Sequence, residues 1–139
     1  MYPMAEPHQV QEKTIRFVWN GDQQQLSKLV VQLKQMNLIK RQKDFFDLFD
    51  NPGENLVVKW NAKAKPHLAY LLYKLFAEGF CTIRGSKGYF TYAEQHFTDF
   101  EGNGLTPDTL KKLSSKINKF PDKYQDVRAV IDRLLEELY

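Results

Sequence analysis

Cys81 is the one cysteine in this chain of 139 residues. A lone cysteine excludes an internal disulfide and agrees with a reducing compartment such as the cytoplasm. Phe80 and Ile83 stand beside it and no base is near it in sequence, so it reads as a buried packing thiol and not as a nucleophile. No run approaches the roughly 18 consecutive apolar residues that a membrane span requires, so no membrane partner is expected. The opening MYPMAEPHQVQEK has neither a basic region nor an apolar core and does not read as a signal peptide; residues 1–12 are expected to form a disordered lead-in. Histidine is scarce as well. His8, His67 and His96 have no histidine or cysteine at ligand spacing, which argues against zinc. The HExxH and GxSxG patterns are absent, and the GNG at 102–104 has neither the Gly-Lys-Ser/Thr of a phosphate loop nor a third glycine after a strand. DFEGNG lacks the spacing and the terminal glutamate of a calcium loop. No nucleophile, base and oxyanion donor come together in the sequence. A non-enzymatic protein without metal or cofactor is the expectation.

What the chain does have is core-forming material. Hydrophobic residues make up 42% and aromatics 14%, with ten Phe and seven Tyr, which is ample for one packed domain. A repeated phrase organises it. VWNGDQQQLSKLVVQLKQMNLI, from Val18, and KWNAKAKPHLAYLLYKLFAEGFC, from Lys59, both open on Trp-Asn. Both run into an apolar helical stripe and end in a short apolar pair before a basic segment. Leu26, Leu29, Val30 and Leu33 fall on one helix face. After one inserted residue, Leu68, Leu71, Leu72 and Leu75 match them position for position. Asp22 or Asn20 can cap the first helix, and Asn61 can cap or turn the second. Asn37 ends the first helix. Pro66 suits a first helical turn, and Gly79 suits a left-handed residue after a helix end.

KTIRFVW alternates as a half-buried strand. DFFDLFD predicts a short helix capped by Asp44, and NPGEN predicts a turn. FFDLFDN also resembles HFTDFEGN, matching Phe46 and Phe49 to Phe97 and Phe100. Each unit would therefore be strand, helix, apolar link and short helix, over about 14–51 and 55–103. The likeness is either an old duplication or a convergent use of one packing unit. Two such units can bury their stripes against each other. FCTIRGSKGYFTY predicts a β-hairpin about GSKG. Residues 106–138 predict two helices, the first with Thr106 as cap, Pro107 at its first position and Leu110, Leu113 and Ile117 inward. The fold expected is α+β: one mostly helical domain over residues 13–139, with two pseudo-repeated strand-helix units. Two short Trp-bearing strands would pair in a small sheet, and the hairpin would form a wing.

The net charge is only +3, but its distribution is uneven. Residues 59–88 carry Lys59, Lys63, Lys65, Lys74, Arg84 and Lys87 against Glu78. Residues 111–123 carry Lys111, Lys112, Lys116, Lys119 and Lys123 against Asp122. Such blocks suit an anionic polymer, although solvated helix faces produce them too. A short helix over about 92–100, a glycine-bearing turn and a lysine-rich helix outline a helix-turn-helix, with a turn longer than usual. Lys112, Ser115, Lys116 and Lys119 fall on one polar side, with Lys111 beside them. Lysine offers charge for phosphates; serine and Asn118 can reach base edges. Arg84 and Lys87 on the hairpin, with Lys63 and Lys65, complete a candidate nucleic-acid surface. Tyr70, Tyr73 and Phe76 read as core and rim, not as a stacking platform. The alternative function is a protein-interaction or assembly module that uses the repeat surface or the last helix.

FVWNGDQQQLSKLVVQLKQMNLI and EQHFTDFEGNGLTPDTLKKLSSKINK resemble segments of the RteC-type regulators of conjugative transposons. The residues that carry the resemblance are Trp19, Leu26, Leu29, Leu33, Ile39, Phe97, Gly102, Leu110, Lys111 and Lys112, and it spans about two thirds of the chain. It implies a cytoplasmic transcription regulator of a mobile element that binds double-stranded DNA through its C-terminal helices. This chain departs from that pattern by having two Trp-Asn units and no arginine-rich C-terminal helix.

Overall fold

A helix start leaves backbone N–H groups without partners, and the chain supplies one at Asp22. The Asp22 carboxylate accepts from the Gln25 amide at 2.8 Å, and Gln25 Oε1 accepts from the Asp22 amide at 2.9 Å. That reciprocal pair opens helix α1. The computed structural model describes residues 16–50, 56–84, 88–105 and 107–139. Their elements in order are β1 (Arg16–Trp19), α1 (Gln23–Gln35), α2 (Gln42–Asp50), β2 (Val58–Lys59), a 3-10 turn (Ala62–Ala64), α3 (Lys65–Ala77), β3 (Cys81–Arg84), α4 (Tyr89–His96), β4 (Phe97–Thr98), α5 (Pro107–Lys119) and α6 (Gln125–Glu136). The architecture is a mostly helical α+β domain with one hydrophobic core.

Asn61 caps the 3-10 turn, its Oδ1 accepting from the Lys63 amide at 3.0 Å, and Pro66 then sits in the first turn of α3. Six residues of α3 are buried: Leu68, Ala69, Tyr70, Leu71, Leu72 and Leu75. The sequence stripe accounted for four of them. Ala69 and Tyr70 turn inward because α5 and α6 both pack on this helix. The Tyr70 hydroxyl donates to Asp132 of α6 at 2.9 Å. Burial first, and then that carboxylate, push the phenol up to about 12. Gln25 Nε2 donates to the Leu138 carbonyl at 3.0 Å, tying α1 to the chain just beyond α6.

The two Trp-Asn units are joined reciprocally. Trp19 pairs with Cys81 in the antiparallel β1–β3 ladder, and Trp60 forms an antiparallel bridge with Ile39. The Asn20 amide donates to the Phe80 carbonyl and its side chain donates to the Gly79 carbonyl, at 2.8 and 3.2 Å. The Asn61 amide donates to the Leu38 carbonyl and its side chain to the Asn37 carbonyl, at 2.8 and 3.1 Å. Each asparagine thus holds the end of the other unit's helix. Both ends turn through left-handed backbone, φ +83° at Gly79 and 59° at Asn37. The indoles follow the same plan. Trp19 Nε1 donates to the Asp22 carbonyl at 3.0 Å, and Trp60 Nε1 donates to the Ala64 carbonyl at 2.8 Å. Asn61→Ala removes both a clamp and a cap and should cost about 1–2 kcal/mol; Asn20→Ala removes a clamp alone and should cost about 0.5–1 kcal/mol. Urea denaturation midpoints would show this order, and equal or zero shifts would refute it.

Six expectations need correction. The Trp-bearing strands do not pair with each other: β1 pairs with β3, and β2 pairs with β4 in parallel, Val58 opposite Phe97. No hairpin forms about GSKG, because β3 takes β1 as its partner and residues 89–96 are helical. Strand propensity in YFTY yields to packing, as Tyr89 stacks on Phe76 at 4.3 Å and Tyr92 meets Phe17 at 4.5 Å. The short helix expected over 92–100 therefore runs over 89–96. The match of Phe46 and Phe49 to Phe97 and Phe100 also fails, since α2 carries the first pair while Phe97 lies in β4 and Phe100 in a turn. Finally, α1 and α3 share one core without packing closely on each other; α6 touches both and closes it. Asp44 lies in the first turn of α2 and does not precede it. The lead-in, the NPGEN turn and the Thr106 cap fall outside the described residues.

Candidate nucleic-acid interface

Helix α5 has two unlike faces. Leu110, Ser114 and Ile117 are buried and Leu113 is half-buried, against α3 and α4. With those positions committed, a period of 3.6 turns Lys111, Lys112, Ser115, Lys116 and Lys119 to solvent. All five are exposed. Together with Phe120 they line a shallow groove of about 540 Å³. Phe120 is 50% exposed, unusual for so large an apolar residue, and Lys119 Nζ lies 5.5 Å from its ring centroid. Among the described residues, ion pairs engage Arg41, Lys43 and Lys74, and none engages a lysine of α5. Among the described residues, no carboxylate pairs with the positive charge of this face.

The remaining candidates scatter. Lys63 is exposed in the 3-10 turn and Lys65 is half-buried at the start of α3; neither lines the α5 groove. Arg84 ends β3 opposite Arg16, and its side chain is outside the described residues, as is Lys87 altogether. Asn118 turns back on its own helix, donating from Nδ2 to the Ser114 carbonyl at 3.0 Å, so it does not reach outward. The segment between α4 and α5 is no simple turn, because β4 within it pairs with β2. A tri-residue helix-turn-helix corner is therefore not what joins these helices.

The titratable groups elsewhere have structural explanations. Asp99 accepts from the amides of Asn103 and Glu101 at 2.8 and 3.0 Å, building the turn in which Gly102 takes φ +91°. The Asn103 amide leads the contacts that hold its carboxyl below the usual range. His96 Nδ1 lies 2.9 Å from the Leu56 carbonyl, and burial lowers His67. Burial pushes the Cys81 thiol up, away from thiolate chemistry. Among the described residues, no group of three or more His, Cys, Asp or Glu side chains is placed to hold a metal ion. Phe120 is the functional candidate that periodicity did not single out; its position just before Pro121, past the helix end, was the available signal. In comparisons with family models, curated proteins and solved structures, nothing matches this chain.

Proposed function

We propose that this protein is a non-enzymatic DNA-binding regulator that applies the lysine face of α5 to the phosphate backbone of a duplex. The observation that carries the reading is the gathering of Lys111, Lys112, Lys116 and Lys119 on one exposed face, none of them in an ion pair among the described residues. Thirteen residues make α5 about 20 Å long, enough to lie along or across a groove about 12 Å wide. Lysine supplies charge without the planar fork that reads guanine, so phosphate contact dominates and Ser115 is the polar group nearest to base readout. The resemblance to RteC-type regulators points the same way, and with it to a cytoplasmic protein. Among the described residues no helix is long and apolar enough to cross a membrane.

Each phosphate neutralised releases condensed counterions, so affinity must fall with salt. Binding of the full chain to a labelled duplex between 50 and 200 mM salt should give a log–log slope of about −3 to −4 for four contacts. Changing Lys111, Lys112 and Lys116 together to alanine should reduce that slope by about 3 and leave the circular dichroism spectrum unchanged. A flat salt response, or an unaltered slope in the triple variant, would reject the reading.

A second reading, a protein-interaction module, has its own observation. Gln32, Gln35, Met36, Val130, Arg133, Leu134 and Glu137 line a groove of about 380 Å³ between α1 and α6, with Met36 42% exposed. Stoichiometric co-purification of a partner with both the unaltered chain and the triple variant, and no duplex binding, would favour it.

A further inference from the structure

Ile39 and Trp60 face each other across their antiparallel bridge and are fully buried. The neighbouring pair on these segments is Lys40 and Lys59. The Lys40 amide donates to the Lys59 carbonyl at 3.1 Å, which sets the two residues directly opposite each other. Side chains alternate along extended backbone, so with Ile39 and Trp60 pointing inward both lysines project outward on one face. Like charges directly opposite destabilise such a pair. The other unit shows that the pairing does not require them: in the equivalent register, Trp19 opposite Cys81, the neighbouring pair is Val18 opposite Thr82.

Lys40 and Lys59 share a concavity of about 520 Å³ with Arg41, Asp44, Leu56 and Val57. Among the described residues three cations there face one carboxylate, and Asp44 lies 3.8 Å from Arg41. Arg41 immediately precedes α2, whose N-terminal end carries partial positive charge and unpaired amides. We propose that Lys40, Lys59 and Arg41 form a phosphate-binding site, with the two opposed lysines gripping one phosphate group between them. The anion relieves a repulsion that the backbone register enforces. The site shares no residue with the α5 face and stands independently of the DNA reading.

The test follows thermal unfolding of the full chain in potassium phosphate and in potassium chloride of equal ionic strength, for the unaltered protein and for Lys59→Gln. Phosphate strengthens apolar burial generally, and that effect acts on both proteins alike. The specific effect is the excess rise in the unaltered protein, roughly a few degrees at ten times the dissociation constant. Lys59→Gln should lose that excess and, freed of the opposed charge, melt no lower than the unaltered protein in chloride. The Lys111/Lys112/Lys116 triple variant should keep the excess. An equal phosphate rise in Lys59→Gln, no excess in the unaltered protein, or its loss in the triple variant would each overturn the site. Duplex binding then assigns the source of the phosphate. A salt slope reduced by about 1 in Lys59→Gln places a strand phosphate there, and an unchanged slope leaves a free or small-molecule phosphate as the ligand.

Discussion

Trp60→Ala should destabilise the protein by about 3–5 kcal/mol, a large part of the roughly 5–15 kcal/mol that holds a domain of this size together. Trp60 is fully buried, the largest such side chain among the described residues. Its ring meets Phe97 edge-on with centroids 6.3 Å apart, and its indole N–H bonds to Ala64 at the start of α3. Truncation therefore opens a cavity, removes a buried hydrogen bond and loosens the bridge to Ile39 in one step. Trp19→Ala is the internal control. Trp19 stacks on Phe80 at 5.5 Å and makes the equivalent hydrogen bond, but it is only half-buried. Its loss should cost about 1–2 kcal/mol less, since more of its surface already faces water. Urea unfolding followed by circular dichroism would measure both. Equal costs would mean that the two tryptophans are interchangeable, against the burial difference.

The next largest effect is expected at Phe17. Its ring lies 4.5 Å from Tyr92, 5.2 Å from Phe76 and 6.1 Å from Phe49, so β1, α2, α3 and α4 all meet on one side chain. Phe17 is 1% exposed. Phe17→Ala should cost about 3–5 kcal/mol, and Phe17→Leu, which retains most of the volume, under about 1.5 kcal/mol. Rings from four elements cannot all collapse into the space without moving their backbones, which places Phe17→Ala toward the upper part of that range. Thermal unfolding at a single pH distinguishes the two substitutions. A loss below about 1 kcal/mol for Phe17→Ala would mean that the aromatic node repacks freely.

Much local chemistry was readable from spacing within one element, although Asp44 sits inside the helix it was expected to cap. Asp22 or Asn20 as a cap, Asn37 and Gly79 at helix ends, Pro66 in a first turn and both leucine stripes follow from residue type and period alone, and the backbone contacts of Asp22 choose between the two caps. So did the α5 face, because Leu110 and Ile117 fix which way Lys112 and Lys116 must point. Pairing between distant segments was not readable. Nothing in FCTIRGSKGYFTY says that Cys81–Arg84 will choose Arg16–Trp19 over the adjacent YFTY, and once that partner is taken, the aromatic side chains of YFTY pack better on a helix. The leucine period alone does not reach Ala69 and leaves Tyr70 between core and rim; both are buried because α5 and α6 supply a second wall. The opposition of Lys40 and Lys59 was hidden for the same reason, since it exists only in the register of the Ile39–Trp60 bridge. Without the expected hairpin, the DNA-binding proposal rests on α5, while the Arg84 side chain and Lys87 lie outside the described residues.

The exchange of asparagine contacts between the units has a consequence for how the chain is made. Asn20 waits for Gly79, 59 residues downstream. At about 5–20 residues per second that is a delay of roughly 3–12 s on the ribosome. Through that interval the first strand has no ladder partner and Leu26, Leu29 and Leu33 have no α6 to cover them, so the N-terminal half keeps its apolar stripe open until the last helix is made.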